Sequence, residues 1–146
     1  AAQNRPEPPS SLAGAWRVDL SGFGPTPVPI LMTFARDGTL LQTDTPVLLQ
    51  QPVPPSSAAS NGHGLWRKLG GRDYSFTYVK IFYGADGPAL ATATQRARAT
   101  LSDDGKTFTA RIVGTDFVNA DGTPIAPGAV AALTFTGTRI ALPEEP

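Results

Sequence analysis

The stretch "YSFTYVKIFYGADGPALATATQRARATLSDDGKTFTARIVGTD", residues 74–116, decides the fold. It contains three runs of β-type residues, Tyr74–Tyr83, Leu90–Leu101 and Thr107–Asp116, separated by short polar joints. Both joints carry Asp-Gly, at Asp86–Gly87 and Asp104–Gly105. That dipeptide supplies the positive φ of a tight hairpin turn. Almost nowhere does an apolar stripe recur at helical spacing, so the segment reads as three consecutive antiparallel strands.

The same pattern extends outward. Ala15–Leu20, Ile30–Ala35, Thr39–Thr43 and Gly64–Leu69 precede it, and Val130–Ile140 comes after it. Asp37–Gly38 and Asp121–Gly122 add two more turn signals. About eight short strands with such punctuation predict an all-β fold, a single antiparallel up-and-down β-barrel. Successive connections of a meander alternate between its two ends. The second, fourth and sixth are short: "RDG", "GGR" and "SDDG". Three of the other four are long and rich in proline and glycine: "SGFGPTPVP", "DTPVLLQQPVPPSSAASNGH" and "FVNADGTPIAPG". One end is therefore expected to be closed by tight turns, and the other to carry long loops of the kind that bind ligands. Residues 1–12 read as a flexible lead-in and 13–142 as the barrel domain.

Composition narrows the functional classes. The 146 residues fit one domain, and 12 basic against 12 acidic residues give no net charge. That is not the footprint of a nucleic-acid binder. The absence of cysteine excludes disulfides, thiolate metal sites and cysteine nucleophiles. One histidine in all argues against a transition-metal site. There is no glycine-rich phosphate loop between strand and helix and no G-x-S-x-G elbow. No cofactor is expected. No segment approaches the ~20 apolar residues of a membrane span. The small, polar start "AAQNRPEPPSS" suits a mature terminus left after cleavage, which makes an exported, periplasmic or extracellular location the expectation.

The first and last strands carry a resemblance. "GAW", with Gly14 and Trp16, opens the first strand, and "TGTRI", with Arg139, closes the last. This resembles the calycin group of lipocalin-like and avidin-like barrels, in which a G-x-W and a basic residue meet at the closed end. The wider pattern "MTFARDGTLLQTD … GHGLWRK … YSFTYVKIFY … TFTGTRI" is similar to bacterial lipocalin-like barrels. The resemblance implies a structural role for Trp16 and Arg139.

Candidate chemistry centres on the long-loop end. His63, in "SNGHGLW", is the sole histidine and stands just after the longest connection. Paired with Asp44 or Asp116, it would make an acid–base couple useful near neutral pH. The alternative is a loop residue in a glycine-rich return. The strand 74–83 alternates Tyr74, Phe76, Tyr78, Lys80 and Phe82 against Ser75, Thr77, Val79, Ile81 and Tyr83. If the first set faces inward it makes an aromatic wall with one amine. Because lysine is rarely buried, Lys80 is expected to face solvent. In "ATATQRARATL" the small set Ala91, Ala93, Ala97 and Ala99, with Gln95, is expected inward. It would leave room either for a ligand or for bulky neighbours. Arg96, Arg98 and Arg111 would then form an outward basic stripe.

Three functions are compatible with this pattern. The first is binding of an apolar or aromatic small molecule, lined by Met32, Trp66, Phe76, Tyr78, Phe82 and Gln95. The second is a cofactor-free isomerase, cyclase or lyase in the same cavity, with His63, Asp44 and Tyr78 catalytic, as in barrels of allene-oxide-cyclase type. The third is a solid barrel whose loops bind a partner. A homo-oligomer is compatible with all three.

Overall fold

The computed structural model describes residues 11–22, 24–43, 58–125 and 133–143. Nine strands form one sheet: β1 (Gly14–Ser21), β2 (Val28–Phe34), β3 (Thr39–Gln42), β4 (Ala58–Ala59), β5 (Gly62–Gly70), β6 (Asp73–Tyr83), β7 (Ala89–Leu101), β8 (Thr107–Asn119) and β9 (Thr134–Arg139). All pairings are antiparallel, each of the eight principal strands joining its sequence neighbours. β1 also pairs with β9, Trp16 opposite Arg139, which closes the ring. The fold is thus a closed eight-stranded up-and-down β-barrel with one extra strand.

That extra strand is the upper end of β5. β4 pairs with β6 as Ala59↔Phe82, while β5 pairs as His63↔Val79. The one-residue slip between these registers is a β-bulge at Ser60–Asn61. The Ser60 amide donates to the Ile81 carbonyl (2.8 Å), and the Ile81 amide donates to Ser60 Oγ (2.9 Å).

Two of the four Asp-Gly pairs, at Gly38 and Gly105, lie at the end with the short connections, and two, at Gly87 and Gly122, at the other. All four glycines have positive φ, between 71° and 94°. Three of the four aspartates also brace their turns. Asp37 Oδ1 accepts from the Thr39 amide and hydroxyl, and Asp121 Oδ1 from those of Thr123. Asp104 Oδ1 accepts from the Lys106 amide and the Ser102 hydroxyl. Asp86 has no such option, because the residue two positions on is Pro88, which carries no N–H.

These hydrogen bonds hold the three carboxyl groups below the ordinary value of 3.8. A carboxylate depressed in the folded state stabilises it fully above the unfolded value and loses that effect as pH falls through the folded one. Stability is therefore expected to decline below about pH 4. Denaturant midpoints measured from pH 6 to pH 2 should fall less in an Asp37→Asn, Asp104→Asn, Asp121→Asn triple variant. Equal slopes in the two proteins would remove the turns from the explanation.

The interior is large against small. Phe76 lies opposite Ala97, Tyr74 opposite Ala99, and Phe135 opposite Ala110. Phe108 covers Gly137, where a Cβ would sit 2.1 Å from its ring. Edge-on aromatic contacts join Phe34 to Phe76 (5.5 Å), Phe76 to Phe135 (5.8 Å) and Trp16 to Phe108 (4.9 Å). Such pairs add about 0.5–1.5 kcal/mol each beyond area burial. The lower half of the barrel is a packed core, and there Ala97 and Ala99 make room for aromatic rings rather than for a ligand.

Lys80 corrects the expectation of a solvated amine: it is 2% exposed. Strand period is two, so one face of β6 turns as a unit. Turning Lys80 outward would also expose Tyr74, Phe76, Tyr78 and Phe82, all buried here. Four such side chains, at about 1.5–3 kcal/mol each, outweigh one ammonium.

Candidate functional site

The apolar interior is interrupted. The large cluster reaches up to Tyr78, and a second, smaller one consists of Phe82, Ala91, Ala93 and Phe117, with Ala59 and Ile125 packed against it. Between them lie inward-facing polar side chains from neighbouring strands. Gln42 comes from β3, Tyr78 and Lys80 from β6, Gln95 from β7 and Thr115 from β8. Register places Gly64, Tyr78, Gln95 and Thr115 in one cross-strand row. Gln42 stands opposite Gly62, and Lys80 opposite Ala93.

Glycines make this belt possible. At Gly62 a Cβ would lie 2.6 Å from Gln42 Oε1 and 2.9 Å from Tyr78 Cδ2. The missing side chain is the space in which Gln42 and Tyr78 meet. At Gly64 a Cβ would lie 1.7 Å from the Thr77 carbonyl oxygen. In "GHG", then, the two glycines shape the interior while the histidine between them points away.

Within the belt the polar groups are unequally satisfied. The Tyr78 hydroxyl donates to Gln95 Oε1. Burial pushes the phenol above its ordinary value, so it stays protonated and acts as a donor. Gln42 is 0% exposed, and neither its amide nitrogen nor its amide oxygen has a hydrogen-bond partner among the described residues. Thr115 Oγ1 is likewise buried without one. Leaving a buried donor or acceptor unpaired costs about 1–3 kcal/mol. A Tyr78→Phe variant, which orphans Gln95 Oε1, is expected to lose about 1 kcal/mol in denaturant unfolding. An unchanged midpoint would mean that the Tyr78–Gln95 bond contributes nothing net.

The residues singled out from the sequence fall in three places. Tyr78, Gln95 and Phe82 lie at or just above the belt. Phe76 and Met32 belong to the packed lower core, Phe76 stacking on Tyr78 at 6.3 Å. Trp66 is half-buried near the tight-turn end, where Nε1–H donates to the Ala35 carbonyl (2.8 Å) and the ring packs edge-on against Phe34. His63 stands exposed on the outer wall, between Leu41 and Val79. The barrel wall separates it from Tyr78. Asp44 lies outside the described residues. Asp116 is on the outer face and pairs with Arg96 (2.7 Å). Arg98 and Arg111, cross-strand neighbours, continue that outward stripe. Gln42 and Thr115 are not among the sequence candidates, although Gln42 sits two residues after the inward Leu40 in "TLLQ".

Trp16 and Arg139 meet at the tight-turn end, Cζ lying 4.3 Å from the ring centroid. Arg139 also donates to the carbonyls of Ser11 (2.7 Å), Ala13 (2.7 Å) and Gly105 (2.8 Å). Trp16 Nε1–H donates to the carbonyl of Leu12, itself fully buried. These bonds tie the chain before β1 across the bottom of the barrel and commit both side chains to structure.

Among the described residues no three His, Cys, Asp or Glu side chains cluster as metal ligands. No helix there is long and apolar enough to cross a membrane. No protein-family model matches the chain, and no curated protein matches it either.

Proposed function

We propose that this protein is a small-molecule binder of calycin-like type, and that its ligand enters from the long-loop end and stops at the polar belt. The observation that carries the reading is Gln42, a fully buried amide with both ends unpartnered among the described residues. Natural interiors rarely tolerate such a group without a use for it. The walls support the reading. Ala93 is small, and Phe82 and Phe117 offer apolar contact above the belt. A ligand with an aromatic or aliphatic body and a polar head suits this lining. The Trp16–Arg139 contact supports the calycin-like assignment.

The test is saturable uptake of an environment-sensitive apolar fluorophore by ligand-stripped, refolded protein. One site per chain is expected. Ala93→Trp, which places an indole beside Lys80 and Phe117, is expected to abolish uptake while keeping the β-sheet circular dichroism. Absence of saturable uptake by the unsubstituted protein would overturn the reading. So would uptake that Ala93→Trp leaves unchanged.

A further inference from the structure

Gln42 also constrains the polar head of a bound molecule, an inference that rests on the binding function proposed for the same site. A carboxamide presents one donor and one acceptor side by side in a plane. Both are fully buried and lack a hydrogen-bond partner among the described residues. Gln95, the other amide of the belt, already commits its oxygen to Tyr78. We infer that Gln42 reads a planar donor–acceptor edge, the cis-amide edge of a lactam or imide, by paired hydrogen bonds.

The alternatives fit less well. A carboxylate offers only acceptors, so it would satisfy the Gln42 nitrogen and face its oxygen across a repulsive contact. An ammonium or amidinium head offers only donors and leaves the Gln42 nitrogen unpaired. A purely apolar head leaves both unpaired and recovers none of their desolvation cost. A lactam satisfies both at once. A site built to pair with a ligand's N–H discriminates strongly against the analogue that lacks it.

Three aromatic bicycles of similar size test this by calorimetry on the full chain: 2-quinolone, 1-methyl-2-quinolone and 2-naphthoate. The first has the donor–acceptor edge, the second has lost the donor, and the third is an acceptor-only anion. The lactam is expected to bind at least about tenfold more tightly than either of the others. In Gln42→Met the preference over the methylated analogue should fall to about one. Gln42→Leu, which removes both the donor and the acceptor, should abolish it as well. Equal binding of the lactam and its methylated analogue to the unsubstituted protein overturns the inference and leaves the binder reading in place. The same holds if the fluorophore binds and no lactam does. If neither quinolone nor the fluorophore binds, both readings fall together.

Discussion

Replacing Gly64 with alanine will cost the barrel about 3 kcal/mol or more, enough to unfold a domain of ordinary stability near room temperature. The reason is contact with backbone, not with a side chain that can swing away. The new Cβ would lie 1.7 Å from the Thr77 carbonyl oxygen and 2.7 Å from Tyr78 Cα. Thr77 is held on both sides, opposite Leu65 in β5 and Arg96 in β7. Moving it would disturb two ladders at once. Losses of this size come from a short list of mechanisms, and overpacking against fixed backbone is one of them. Urea unfolding monitored by circular dichroism measures the effect. Gly24→Ala is the control, since nothing lies within 4 Å of its Cβ position; its midpoint should move by no more than about 0.5 kcal/mol. A Gly64→Ala protein as stable as that control would contradict the close approach of β5 to β6.

The second large effect has the opposite sign. Gln42→Met is expected to stabilise the ligand-stripped protein by about 1–3 kcal/mol. Methionine has nearly the shape of glutamine and no polar atom that needs a strong partner. The substitution therefore removes two unpaired groups from a fully buried position while leaving the packing against Gly62 and Tyr78 in place. Most buried substitutions destabilise, so a gain is diagnostic. It is the signature of a residue retained for function at the expense of stability. A loss of similar size would mean that the amide is satisfied in solution and belongs to the scaffold. Denaturant midpoints of the two refolded proteins decide between these outcomes.

The fold is legible because its signals are local. Period-two alternation sets each strand, and Asp-Gly fixes four turns through the backbone conformation glycine permits. The alternation of long and short connections is enough to separate the two ends of the barrel. The extra strand β4 is not legible, because a bulge at Ser60–Asn61 leaves no periodic trace in so short a segment. Lys80 defeats a reading that weighs one residue's preference singly. The four aromatic residues on its face decide the orientation together. His63 stands out by its chemistry, whereas its position depends on register: the same alternation that turns Gly62 and Gly64 inward turns it out. Gln42 escapes a sequence reading because its consequence lies in what it fails to touch, and that is a property of the assembled interior. No sequence signal marks Thr115 either, since the bulge between Arg96 and Ala97 shifts the pairing before it.

Native mass spectrometry of the intact protein isolated from its own source, with extraction and identification of whatever it carries, bears most directly on the binding role of the polar belt. One small molecule per chain is predicted, apolar in body with an amide-type edge, and its loss from Gln42→Met purified in the same way. A protein that emerges empty and also takes up no apolar fluorophore would contradict that role, and would make the polar belt a structural feature of a solid barrel.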